Sequence, residues 1–225
     1  MVERSNEPEA GWVAVDHFIA HHLLGDDPAA ALTANATGGL PDIDVSPPQG
    51  KMLHLLARMC GARRILEIGT LGGYSTIWLA RALPENGRLV TLEIDPHHAE
   101  VAGRNIADAG LANKVDVRVG QAIATLGAMI ARGEAAFDLV FVDADKPSNV
   151  AYLNAALALS RPGTTIIVDN VVREGAVLDP ASADERVRGT RALYEAVAAE
   201  PRLTATVVQT VGAKKWDGFL LAIVG

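Results

Sequence analysis

The hydrophobic and polar positions of this chain fall into two regimes. Between about residues 9 and 24, Trp12, Val15, Phe18, Ile19, Leu23 and Leu24 recur at mixed three- and four-residue spacing, which predicts an amphipathic helix broken at Gly25. A second short helix is expected over about 28–36, and the stretch 37–46, rich in Gly, Pro and Asp, reads as loop. Ser46-Pro47 then supplies an N-cap and a proline at the first helical position, opening a helix that runs to about Cys60. Beyond it the pattern alternates. Apolar runs of strand length at Ile65–Ile68, Arg88–Glu93, Val115–Val119, Phe137–Val142 and Thr164–Val168 are separated by helical stretches near 74–83, 96–109, 121–132 and 147–160. A helix over about 183–199 follows. The last two runs, Leu203–Thr210 and Gly218–Val224, have hairpin-like spacing, so the last strand is expected to be antiparallel.

Strand-helix alternation implies right-handed crossovers and a parallel sheet covered on both faces. The expected fold class is α/β: a doubly wound, mostly parallel sheet of about seven strands with an antiparallel last strand. All 225 residues read as one domain, with 1–45 as a helical extension that shapes a substrate pocket or a dimer interface. In such sheets, ligands bind beyond the carboxyl ends of the strands, where strand order reverses.

Composition narrows the function classes. A hydrophobic share of 49% is enough for a sizeable core, yet no apolar run is long enough to span a bilayer. The start, Met1 to Pro8, is polar and lacks a signal-peptide core. One cysteine, Cys60, leaves no intrachain disulfide and fits a reducing, cytoplasmic compartment; it is expected to serve only packing. The formal net charge of −7 disfavours a nucleic-acid partner, which needs a basic face. Trp12, Phe18 and His21 are expected in core or dimer contacts, and His21-His22 and His97-His98 as surface or packing residues.

Candidate chemistry gathers at strand ends. The first strand runs into Glu67-Ile68-Gly69-Thr70-Leu71-Gly72-Gly73-Tyr74-Ser75. Its glycines permit positive φ and close backbone approach, and the helix starting near Tyr74 would aim free N–H groups at a ligand. The spacing is not the GxGxxG of dinucleotide folds, and Glu67 suits a cationic ligand rather than a pyrophosphate. Glu93, 20 residues after Gly73, is placed to accept hydrogen bonds from a ribose diol, with Asp95 capping the next helix. Gly120-Gln121-Ala122 is small enough to leave room for a flat base. At the fourth and fifth strand ends, Asp143, Asp169 and Asn170 converge if those strands are neighbours, and three oxygen donors favour a hard cation. Lys146, beside that site and before Pro147, could act as general base on a metal-bound hydroxyl.

Together these residues resemble the metal-dependent small-molecule O-methyltransferases, the group that includes the catechol and caffeoyl-CoA enzymes. The most specific pieces are Leu66-Glu67-Ile68-Gly69 with Gly72-Gly73-Tyr74-Ser75, Asp143-Ala144-Asp145-Lys146, and Asp169-Asn170-Val171. The resemblance implies a Rossmann-like methyltransferase fold. It implies S-adenosylmethionine held by Glu67, Gly69, Thr70, Gly73, Tyr74, Ser75 and Glu93, with Val45 and Ala122 lining the pocket. It further implies Asp143 touching both cofactor and metal, Asp169 and Asn170 as the other metal ligands, and Lys146 as the base. The metal would be Mg²⁺, with Ca²⁺ or Mn²⁺ as alternatives. The acceptor would be a hydroxylated aromatic small molecule, with catechols favoured because a vicinal diol can chelate the metal, and the enzyme would be a homodimer. In the caffeoyl-CoA relatives the segment after Asp-Asn-Val carries aromatic residues. Here it reads Val172-Arg173-Glu174-Gly175-Ala176-Val177-Leu178, which argues against a phenylpropanoid-CoA substrate. The competing readings are a methyltransferase acting on a hydroxylated tRNA base and a dehydrogenase or nucleotide binder using the same sheet.

Overall fold

The computed structural model describes residues 8–225, so the polar start before Pro8 lies outside the described residues. Three helices come first: α1 (Pro8–Leu23), α2 (Ala29–Thr37) and α3 (Pro47–Met59). Ser46 caps α3 by accepting from the Gln49 N–H, as the Ser-Pro pair predicts. Then β1 (Arg64–Ile68), α4 (Tyr74–Ala82), β2 (Arg88–Glu93), α5 (Pro96–Asp108), β3 (Val115–Val119), α6 (Ala122–Ala131) and β4 (Leu139–Val142) alternate. A 3₁₀ turn at Lys146–Ser148 leads into α7 (Asn149–Ala158) and β5 (Thr165–Asp169). A kinked 3₁₀ segment (Arg173–Leu178) precedes α8 (Glu185–Ala199) and the hairpin β6 (Leu203–Gly212) and β7 (Lys215–Val224).

The strand order is β3-β2-β1-β4-β5-β7-β6. β1 to β5 are parallel, and β7 runs antiparallel to both β5 and β6. Order reverses between β1 and β4, the position where a doubly wound sheet opens its crevice. The hairpin is tighter than the sequence spacing suggests. Its ladder continues to Gly212 and Lys215, leaving Ala213-Lys214 as the turn, and Lys215 just after it is left-handed (φ 69°), as in a type I turn closed by a bulge.

β1, β4 and β5 are buried on both faces, which explains their unbroken apolar runs. Side-chain alternation divides the core. Leu66, Ile68, Val140, Val142, Ile166 and Val168 pack with Leu126, Met129, Leu153 and Leu193 of α6, α7 and α8. Ile65, Leu139, Phe141 and Ile167 pack with Leu53, Ala57, Trp78, Leu79 and Ala102 of α3, α4 and α5. Each of the Val, Leu, Ile, Met and Phe side chains among them contributes about 1.5–3 kcal/mol by leaving water. Glu67 shares the second face with Phe141, its registered partner on β4. Extending the β4–β5 register by one pair sets Asp143 against Asp169 on that same face.

The expectation for Cys60 needs correction, and that for two α1 residues is narrowed. Cys60 does not pack: it is exposed at the end of α3, its Sγ 3.4 Å from the Ala57 carbonyl. Phe18 is 64% exposed and His21 is exposed, because α1 packs on β6 and α3 by its other side; this removes the core alternative for both and leaves the dimer-contact one untouched.

Candidate active site

The turn after β1 is held from three sides. Gly69 has φ 99°, and a Cβ there would lie 2.0 Å from the Asp143 carbonyl oxygen, so the close approach that fixes this glycine is to the neighbouring strand end. Gly73, also left-handed at φ 85°, is the N-cap of α4. A Cβ on Gly72 would collide with the amide of Asn35, reaching from α2. Asn35 is buried and donates to both oxygens of Asp44, at 3.0 and 3.1 Å. Asn105 of α5 donates to Asn35 Oδ1 at 2.9 Å and to the Gly72 carbonyl at 2.8 Å. This amide clamp ties the helical extension to the turn. Sequence reasoning misses it, because its partners stand far apart in the chain and share no spacing.

Glu93 organises the same turn from β2. Its Oε2 accepts from the N–H groups of Thr70 (3.2 Å) and Leu71 (2.8 Å), and its Oε1 from those of Ile94 and Asp95 (both 3.0 Å). A carboxylate lone pair count of about four leaves its outward edge limited capacity for a further donor. Asp95 caps α5 by accepting from His97 N–H at 2.7 Å, as expected. Thr70 is buried with its hydroxyl 2.6 Å from that of Thr91. Tyr74 is fully enclosed and donates to Asp27 at 2.6 Å, so its backbone, not its ring, faces the turn. Val45 is buried against the α3–α5 side of the core, and Ala122 is half-buried at the start of α6.

Glu67 has no exposed surface. Its carboxyl accepts from Ser75 Oγ and Thr91 Oγ1, both at 2.7 Å, and from Thr76 Oγ1. Burial pushes its pKa up to about 7, against the three hydroxyls that favour the charged form. The folded protein therefore holds this proton at pH values where the unfolded chain has lost it. The associated stability is full below about 4.5 and is lost as pH rises towards 7. A shift of this size is on the order of 3 kcal/mol. Thermal denaturation of the ligand-free protein should show Tm falling between pH 5 and 7.5, and Glu67→Gln should flatten much of that slope. An unchanged slope in the Gln variant would exclude Glu67 as its source.

At the next strand ends, Lys146 is 6% exposed and its Nζ lies 3.1 Å from Asp143 Oδ1. Asp145 does not pair with it: Asp145 accepts from Tyr152 and from the Ser148 N–H, capping the 3₁₀ turn. That turn contains Lys146 rather than following it, a small departure from the loop expected before Pro147. Asp169 is 3% exposed and accepts from the Asn170 N–H at 2.8 Å. Burial and then the neighbouring Asp143 carboxylate raise its pKa, with Lys146 and Gln49 opposing. Asn170 is left-handed at φ 56°. Two carboxylates crowding one site, one of them almost enclosed, plus an amide oxygen form a donor set that fits a hard divalent cation. Among the described residues, no three His, Cys, Asp or Glu side chains group as a metal cage, so the third protein ligand would be Asn170.

The chain from residue 23 to 223 matches the O-methyltransferase family model. The chain belongs to that family. A catechol O-methyltransferase from Niastella koreensis is 52% identical to this O-methyltransferase over 213 residues, 94% of this chain and 96% of that one. Among solved structures, an O-methyltransferase from Bacillus cereus in complex with S-adenosylhomocysteine (SAH) superposes with TM-score 0.94 at 52% identity, covering 96% of this chain and 99% of that one. The O-methyltransferase TomG of Streptomyces achromogenes, solved with S-adenosylmethionine (SAM), gives 0.93 at 50% identity, covering 97% and 99%. The fold and the activity class follow: this O-methyltransferase is SAM-dependent and has the Rossmann-like methyltransferase fold. The dehydrogenase and nucleotide-binder readings fall with that result.

The segment after β5 borders a cavity of about 520 Å³. It is lined by Val172, Gly175, Leu178, Tyr194, Val207 and Trp216, among others. None of the expected site residues lines it.

Proposed function

We propose that this enzyme methylates one hydroxyl of a catechol, using a divalent cation held by Asp143, Asp169 and Asn170. The observation that carries this reading is the meeting of Asp143, Lys146, Asp169 and Asn170 at the ends of adjacent strands. SAM supplies an electrophilic methyl group, and a bound cation lowers the pKa of a coordinated hydroxyl. Glu93, with its remaining acceptor capacity, and the free N–H groups at the start of α4 bind the cofactor's ribose and amino-acid ends. Glu67 acts on that turn through Ser75 and Thr76. Val45 and Ala122 wall the pocket. Lys146 Nζ, positioned by Asp143, takes the proton from the acceptor oxygen in its uncharged amine form, becoming the ammonium as the oxygen becomes the nucleophile. Positioning of the acceptor oxygen supplies much of the acceleration. The name of the Niastella relative supports the catechol class.

A net charge of −7 supports a small acceptor over a hydroxylated tRNA base. Val15, Phe18 and Leu23, all exposed on α1, support pairing of two copies through that helix. The free thiol of Cys60 suits a reducing compartment such as the cytoplasm.

The test is methyl transfer from SAM to catechol before and after chelation. Turnover should vanish with EDTA and return with Mg²⁺. Turnover indifferent to chelation would remove the metal role. Turnover on hydroxylated tRNA but not on catechol would replace the substrate class.

A further inference from the structure

The backbone after β5 is unusual. Asn170, Arg173 and Glu174 are all left-handed, at φ 56°, 57° and 54°, and Gly175 follows at 83°. Asparagine tolerates this region, but arginine and glutamate have no preference for it, so surrounding structure must impose it. The imposing group comes from β7. Asp217 Oδ1 accepts from the N–H groups of Val172 at 3.0 Å and Arg173 at 2.9 Å, and from its own neighbour Gly218 at 3.0 Å. Around it, Val171 N–H donates to the Gly218 carbonyl at 2.9 Å, and Tyr194 donates to the Val171 carbonyl at 3.1 Å. A carboxylate oxygen receiving three N–H groups makes charge-assisted bonds, stronger than the neutral ones beside it.

We propose that Asp217 is a positioning residue for Asn170. By holding the peptide groups of Val172 and Arg173, it fixes the left-handed turn that presents the Asn170 amide towards Asp143 and Asp169. It acts through the backbone and takes no part in bond making. The inference rests on the metal-dependent reading above. β7 is the antiparallel strand beside β5, so its first residues lie at the carboxyl end of the parallel strands, next to the site.

The experiment measures Mn²⁺ affinity by electron paramagnetic resonance and SAH affinity without metal by calorimetry, in wild type, Asp217→Ala and Asp217→Asn. Asp217→Ala should weaken Mn²⁺ binding by about 10–100-fold, the usual cost of removing a group that orients a metal ligand. Asp217→Asn keeps a neutral acceptor oxygen and should fall between Ala and wild type; it also carries the test if the Ala variant does not fold. SAH affinity should stay unchanged in both. Unaltered Mn²⁺ affinity in the variants, beside a wild type that binds the ion, would overturn the positioning role alone. Equal weakening of Mn²⁺ and SAH would overturn it in favour of general loosening. A wild type that binds no Mn²⁺ would overturn the metal-dependent reading and this inference with it.

Discussion

Replacing Lys146 with alanine is expected to lower kcat on catechol by on the order of 10²–10⁴-fold, the usual worth of a positioned general base. The amine is almost wholly enclosed and sits 3.1 Å from Asp143 Oδ1. The turn that presents it is rigidly backed: a Cβ on Gly189 of α8 would lie 2.2 Å from the Lys146 carbonyl oxygen. SAH affinity should change little, because the cofactor turn is held by Glu93, Asn35 and Asn105 instead. Arginine at this position separates two roles. It keeps a positive charge beside Asp143 but stays protonated at all working pH values, so it cannot accept a proton. Activity restored by Lys146→Arg would show that the charge, not proton transfer, matters. A pH–rate profile left unaltered by Lys146→Ala would remove the base role altogether.

The second large effect concerns Asp169. Asp169→Asn should abolish metal-stimulated turnover, by about 100-fold or more, since it removes a charged ligand outright where orienting groups alone cost 10–100-fold. The same substitution should stabilise the metal-free protein. In the fold, burial and Asp143 make ionisation of Asp169 unfavourable, and the carboxyl titrates above its ordinary value. The native state is thus fully favoured by this group only at low pH, and loses that advantage as pH rises through the folded value. Above it, a neutral amide is the better tenant. At pH 8 the Asn variant should melt higher without metal, each kcal/mol relieved being worth about 2–4 °C for a chain of this size. Added Mg²⁺ should raise the Tm of the wild type and not that of the variant. Equal Mg²⁺ shifts in both proteins would exclude Asp169 as a ligand.

Most of the fold was legible because its signals are local. Runs such as Arg88–Glu93 and Val115–Val119 coincide with β2 and β3, and Ser46 and Asp95 cap the helices their positions suggest. β4 begins at Leu139 rather than Phe137, because Phe137 is buried as a core residue just outside the ladder, where apolar character does not distinguish the two roles. The hairpin turn is shorter than the sequence spacing suggests, since Val211 pairs with Trp216 and Gly212 with Lys215, and nothing in their immediate neighbours announces it. In the site, the acidic and lysine residues at strand ends were visible, as topology delivers strand ends to one place. Asn35, Asn105 and Asp217 were not. Each acts through bonds to distant backbone or amide groups, and a lone polar residue in a helix or strand start carries no periodic mark of such a partner.

The reversed direction of β7 also bears on how the protein acquires activity during folding. β1 with β2, β2 with β3 and β4 with β5 are joined by short crossovers and can assemble from nearby segments. The β5–β7 ladder, like the β1–β4 one, instead joins distant segments: Thr165 pairs with Ile223 across the whole of α8 and β6. Pairings between distant segments are slow, because the connecting chain must be ordered before they form. The backbone just after Asn170 is pinned by the start of that late strand. A refolding chain should therefore gain its helical signal before it gains turnover, and the lag would measure its long-range strand pairings, the docking of the hairpin among them.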